Sequence, residues 1–241
     1  MKNERCIERT LLIDADDTLW ENNIFYLRCT ARFLELMSSL GCEREHAQAV
    51  LDACEQETIS VFGFGPQGYV AALGMACERL MEEQGLPAEP DLIARARALG
   101  QLVLSPPVIL LPDVQPVLCA LRSTSELILV TKGDPTVQAN KIERSGLKPL
   151  FDACYIVPEK NAHTYRRIAA ERRLNPRYTW MVGNSPRSDI NPAVEAGLGA
   201  ILIPHDHTWK AEIQEIARPE LVVTLARFAD LLPYFGIEAD W

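Results

Sequence analysis

Hydrophobic positions along this chain change period several times, and each change marks an expected element. Leu11-Leu12-Ile13 is a short continuous apolar run that stops at Asp14, and it reads as a buried strand of a parallel sheet. Beyond Trp20 the spacing turns helical: Ile24, Phe25, Leu27, Phe33, Leu34, Leu36, Met37 and Leu40 recur at that period, with Gly41 as the stop. Further helices are expected over residues 43–61, 67–84 and 91–103, the last ended by Pro106-Pro107. The stretch from Val61 to Tyr69 interleaves glycines with aromatics. It reads as a helix–helix connector whose aromatics pack into the bundle, the alternative being a mobile loop that closes over a substrate. No strand pattern intervenes, so residues 20–106 are expected to form an all-helical insert.

From Val108 the two periods alternate. Strands are expected over residues 126–131, 154–157, 178–183 and 200–203, with a short one at 221–223 before a last helix. Helices are expected over 113–122, 135–145 and 161–173, and in a segment ending near Gly197. Such alternation demands right-handed crossovers and a parallel sheet. The predicted fold class is therefore α/β, a doubly wound parallel-sheet core with an inserted helical domain. The core comprises residues 1–19 and 107–241, and the insert residues 20–106.

Composition narrows the function classes. With 48% apolar residues the 241-residue chain has ample material for a buried core, in one large domain or two modest ones. A formal charge of -9 disfavours nucleic acid and anionic membranes as partners, while leaving room for a small anionic substrate at a locally positive site. No apolar run approaches membrane-spanning length, and Met1 to Arg5 is too polar to open a signal peptide. Seven scattered cysteines, odd in number and never spaced C-x-x-C, argue for reduced thiols in a cytoplasm. The oligomeric expectation stays open between monomer and homodimer.

The polar groups at the strand ends carry the candidate chemistry. Asp14 and Asp16 follow the first strand, and in extended chain they project to one side. Two carboxylates that close call for a cation, a shared proton or strong donors, although Asp, Asp and Thr after a strand are also ordinary turn and N-cap residues. Thr131-Lys132-Gly133-Asp134 ends the second strand, Pro158-Glu159-Lys160 follows the third, and Gly183-Asn184-Ser185-Pro186-Arg187-Ser188-Asp189 follows the fourth. Parallel strands bring these ends to one edge, where open α/β sheets bind ligands. His205-Asp206-His207 after the fifth strand reads as a solvated helix entrance capped by Asp206 or Thr208, rather than as a second metal site.

The four fragments, in this order, resemble the four motifs of the haloacid dehalogenase superfamily, and the helical insert stands where that family carries its caps. The resemblance implies a magnesium-dependent phosphatase acting on a small phosphorylated metabolite. In its terms Asp14 is the nucleophile and Asp16 the general acid/base. Asp17 occupies a variable position where the family more often has glycine. Thr131 and the Lys132 backbone amide bind phosphate oxygens, and Lys160 steadies the nucleophile and the transferring group. Asp14, Asp16, Asn184 and Asp189 hold magnesium. Asn184 departs from the family pattern, which usually has an acid there, and so leaves the metal fewer carboxylates. Two alternatives stay open: a phosphomutase or phosphotransferase on the same fold, and a catalytically weakened phosphate-binding protein.

Overall fold

The computed structural model describes residues 7–87 and 89–238; Cys6 lies outside this set. The chain divides into two compact units, Met1–Glu21 with Val108–Trp241, and Asn22–Pro107.

The second unit is all helix: α1 Asn23–Ser39, α2 Arg44–Phe62, α3 Pro66–Glu83, α4 Pro90–Ala98 and α5 Gln101–Leu104. Its core gathers the helical-period residues, among them Phe25, Cys29, Phe33, Leu51, Cys54, Leu73, Cys77 and Leu80. Each fully buried Leu or Phe of this kind contributes about 1.5–3 kcal/mol. The chain's start into α2 is set by Glu43, whose carboxylate accepts from the Glu45 and His46 amides. Two expectations are corrected here. The helix predicted over residues 91–103 is broken into α4 and α5 at Leu99-Gly100. A Cβ on Gly100 would come within 2.7 Å of the Val70 side chain, so the break occurs where glycine lets α3 approach. The aromatics of the 61–69 connector do not all pack into the bundle. Tyr69 does, edge-on to Tyr26 and bonded through its hydroxyl to Thr30. Val61 and Phe62 instead lie exposed at the end of α2, which leaves only Gly63 to Gly65 as a link.

In the first unit, β1 Arg9–Ile13, β2 Ser125–Lys132, β3 Ala153–Val157, β4 Thr179–Gly183, β5 Gly199–Leu202 and β6 Val222–Thr224 form one sheet of order β3-β2-β1-β4-β5-β6. All the pairings are parallel. The helices of this unit are α6 Val114–Leu121, α7 Pro135–Ser145, α8 Ala162–Arg172, α9 Asn191–Glu195 and, after the last strand, α10 Leu231–Tyr234. Alternate strand residues feed two cores. Leu11, Ile13, Leu127 and Leu129 face Val117 and Leu121, while Leu12, Ile128 and Val130 face Tyr165 and Ile168. Burial on both faces is why these strands read as unbroken apolar runs. The chain fans out from β1 to β2 and β3 on one side and to β4, β5 and β6 on the other. This reversal leaves a crevice beyond the carboxyl end of β1, the usual ligand position of such sheets.

Candidate active site

At that crevice the Asp14 amide makes one last ladder bond, to the Val182 carbonyl at 2.9 Å, and the chain then turns. The turn closes through Leu19 N–H to the Ala15 carbonyl at 2.8 Å and Asp17 N–H to the Trp20 carbonyl at 2.8 Å. It requires a left-handed residue at Asp17, φ 61°. Glycine adopts that conformation without cost and Asp tolerates it better than most, which accounts for the Asp-for-Gly exchange at this position. The turn also brings Thr18 back over Asp14, and its hydroxyl donates to Asp14 Oδ2 at 2.8 Å.

Lys160, buried at the end of the β3–α8 loop, reaches the other Asp14 oxygen and also donates to Asp189 Oδ1 at 2.8 Å. Residues distant in sequence thus form one buried carboxylate–ammonium–carboxylate group. Burial, opposed by Lys160 and reinforced by Asp189, pushes the Asp14 carboxyl up to about 7. Burial acts against the Lys160 charge, yet Asp14 and Asp189 together raise its ammonium above the ordinary range. Asp189 is further held by the Ser185 amide at 3.0 Å, and it lies so close to the strand end that a Cβ on Gly183 would sit 2.2 Å from its Oδ2. Glycine at 183 is what makes the space for this carboxylate.

Asp16 belongs to a separate charged pair. Both its oxygens accept from Lys141 Nζ at 2.8 Å, Oδ1 also accepts from Trp20 Nε1 at 2.7 Å, and Oδ2 from Gln138 Nε2 at 2.9 Å. Burial works to raise this carboxyl, but Lys141, Gln138 and Trp20 prevail and hold it below its ordinary value. Gln138 Nε2 also lies 3.0 Å from the Thr131 hydroxyl, tying the end of β2 to the turn after β1.

The remaining predicted residues fall at the same edge. Asn184 is buried, with Oδ1 facing the Thr18 hydroxyl at 3.3 Å and Nδ2 donating to Thr208 Oγ1 at 2.9 Å. Its oxygen is thereby turned toward the Asp14 side. The Lys132 side chain leads elsewhere, to Glu212 at 2.5 Å and Ser188 Oγ at 2.9 Å, while its backbone carbonyl accepts from Gln138. Glu212 in turn accepts from Ser185 Oγ, so this network braces the loop that bears Asp189. The turn Pro186–Ile190 is wound as a π-helix, and the buried Tyr165 hydroxyl donates to the Ser188 carbonyl within it at 2.9 Å.

Sequence reasoning missed Thr18, Gln138, Lys141 and Glu212. Gln138 and Lys141 had a readable signal: they stand three apart on one face of α7, beside the buried Ile142. Glu212 had none, because it meets Lys132 only through tertiary folding. The His205 expectation is corrected. Neither Asp206 nor Thr208 caps a helix; Thr208 instead donates to the His205 carbonyl, and the half-buried His205 ring turns toward Glu21 at 3.5 Å and Asp17 at 3.9 Å. Ligand atoms of Asp17, Glu21 and His205 all lie within 4.8 Å of one another.

With this arrangement in view, the chain's relatives are informative. The family model for haloacid dehalogenase-like hydrolases matches residues 8–197. The chain belongs to that family. It is 26% identical over 200 residues to N-acylneuraminate-9-phosphatase of Mus musculus, covering 80% of each chain. It is 31% identical over 108 residues to pyrimidine 5'-nucleotidase YjjG of Escherichia coli strain K12, covering 42% of this chain and 48% of that one. A solved haloacid dehalogenase-like hydrolase from Xanthomonas campestris superposes with a TM-score of 0.75 at 28% identity, over 97% of this chain and 96% of the other. The protein is thus a hydrolase of the haloacid dehalogenase type with phosphatase and nucleotidase relatives. No helix among the described residues is long and apolar enough to cross a membrane, and the six described cysteines are free.

Proposed function

We propose that this hydrolase is a magnesium-dependent phosphatase that cleaves a small phosphomonoester through a phosphoaspartate on Asp14. The observation that carries the reading is the buried Lys160 ammonium joining Asp14 to Asp189, with the Asp16–Gln138–Thr131 group beside it. The phosphatase and nucleotidase names of the two relatives support the substrate class.

The residues at hand fit a magnesium ion. Asp14, the Asp16 backbone carbonyl, Asn184 Oδ1 and Asp189 make an oxygen-only donor set suited to a hard cation. Two buried carboxylates share one ammonium, which leaves the group one positive charge short, and burial first, then Asp189, push the Asp14 carboxyl up to about 7. When bound, magnesium draws charge off the phosphoryl oxygens. The steps belong to the side chains. An Asp14 oxygen forms a bond to phosphorus while the ester P–O bond breaks; Asp16, whose contacts with Lys141 favour the carboxylate in the free enzyme, takes up a proton before this step and gives it to the departing oxygen. Water then attacks the phosphoaspartate, Asp16 accepts a proton from it, and the bond to Asp14 breaks to release orthophosphate. The Thr131 hydroxyl and the Lys132 amide donate to the equatorial oxygens, and Lys160 balances their charge.

Magnesium-dependent release of phosphate from 4-nitrophenyl phosphate tests the proposal. Asp14→Asn abolishes turnover, and Asp16→Asn slows it by about two to four decades, the reach of general acid–base help. Full activity in Asp14→Asn, with deamidation excluded by mass spectrometry, overturns the covalent scheme.

A further inference from the structure

Helix α7 begins directly after the Thr131-Lys132-Gly133 segment, with Asp134 as its N-cap bonded to the Thr136 and Val137 amides. That start sets the phase of the helix and turns Gln138 and Lys141, one turn apart, back toward the ends of β1 and β2. Both side chains are buried, and both end on Asp16. Lys141 Nζ lies 2.8 Å from each Asp16 oxygen, so the carboxylate is gripped edge-on, and Trp20 Nε1 at 2.7 Å limits its rotation.

Gln138 does more than hold Asp16. Its Nε2, with two hydrogens to share, lies within reach of three oxygens, Asp16 Oδ2 at 2.9 Å, Thr131 Oγ1 at 3.0 Å and the Lys132 carbonyl at 2.7 Å. Its Oε1 is buried with no hydrogen-bond partner. A buried acceptor left without a donor is destabilising. Turning the amide over would set an oxygen against the Asp16 carboxylate and the Lys132 carbonyl, neither of which can donate, so the orphan is the smaller cost and the orientation is fixed. With Nε2 as donor, the Thr131 oxygen is an acceptor, and its own hydrogen is left to point at another group.

We propose that Gln138 and Lys141 are positioning residues for phosphoryl transfer: they hold the Asp16 carboxylate in register for proton exchange, and Gln138 aims the Thr131 hydroxyl as a donor to phosphate. This rests on the phosphatase reading above. One helix face thereby couples the acid–base group to the phosphate-binding group, which lie on different strands.

The test uses 4-nitrophenyl phosphate with magnesium in rapid-mixing kinetics. Nitrophenolate leaves without needing a proton, so the first step proceeds even when Asp16 is misplaced, whereas hydrolysis of the phosphoaspartate still needs Asp16. In Lys141→Met the ratio of burst rate to steady-state rate rises by about 10²-fold, the effect of roughly an ångström of misplacement. Lys141→Arg restores most of the steady-state rate. Gln138→Met, which removes the amide and with it the buried orphan, shows the same rise and weakens competitive inhibition by orthophosphate about tenfold, within the range for losing one aimed donor. Thermal unfolding of each variant establishes that it is folded. A folded Lys141→Met or Gln138→Met enzyme that loses both steps equally, or that keeps its steady-state rate, overturns the proposal while leaving the phosphatase reading intact. No turnover and no phosphoryl labelling of Asp14 in the unaltered protein overturns the phosphatase reading and this proposal together.

Discussion

Replacing Lys160 by methionine keeps most of its apolar stem and removes one positive charge from between two carboxylates. Lys160 is 3% exposed, so water does little to screen what remains. At an effective dielectric constant of about 20, unit charges about 4 Å apart attract by about 4 kcal/mol, so the two pairs together are worth about 8 kcal/mol before desolvation of the ammonium is subtracted. Breaking such a buried group from one side costs about 3–5 kcal/mol, because the partners stay buried and uncompensated. That loss is the expectation at pH 8, measured by urea unfolding. Asp14 already lies at about 7 with Lys160 in place, and losing Lys160 raises it further. A carboxyl whose folded pKa lies above its unfolded value contributes stability that is full below the unfolded pKa and is lost as pH rises through the folded one. The deficit of Lys160→Met therefore narrows between pH 8 and pH 5, as the folded variant takes up protons. Adding Asp14→Asn to Lys160→Met recovers part of the loss, since one of the two stranded charges is gone. A loss under about 1 kcal/mol, the scale of an exposed ion pair, or a loss identical at both pH values, refutes this account of the site.

Magnesium at a hundredfold excess over its Kd raises unfolding stability by about 2.7 kcal/mol, and Asn184→Asp reaches the same gain at lower magnesium; superimposable titrations of the two proteins count against Asn184 as a ligand. Gly183→Ala sets a Cβ 2.2 Å from Asp189 Oδ2, so the carboxylate must leave the Ser185 amide and Lys160. Its expected cost is about 1–3 kcal/mol in thermal unfolding, with turnover falling far more than in a surface Gly→Ala control. In the helical unit, burial and the nearby Asp52 push the Glu55 carboxyl up to about 7. Its stabilising contribution is full below about pH 4.5 and is lost as pH rises through 7, so Glu55→Gln stabilises the protein by up to about 3 kcal/mol at pH 8 and by nothing at pH 4, as read from urea midpoints.

Much of the architecture was legible in the order of residues because period is a local property. Leu11-Leu12-Ile13 and Leu127 to Val130 are buried on both faces and so carry no polar alternation, and Gly41 follows its helix with positive φ as its position suggested. Breaks set by neighbours were not legible. The interruption of residues 91–103 comes from the approach of α3 to Gly100, and the exposure of Phe62 comes from α2 running on to the last residue before Gly63. Neither depends on local spacing alone.

The same division holds at the site. Asp14, Asp16, Thr131, Lys160, Asn184 and Asp189 could be named as candidates from the chain because each lies at the end of a strand or in the loop that follows it, and parallel strands deliver their ends to one edge whatever lies between them. Which charge meets which was decided only in three dimensions. Lys160 joins Asp14 to Asp189, Lys141 takes Asp16, Lys132 turns away to Glu212, and His205 faces Glu21 instead of opening a helix. A sequence records the positions of charged groups along a line, but an ion pair depends on the distance between two side chains and on the water excluded around them. Both quantities exist only once the crossovers have packed.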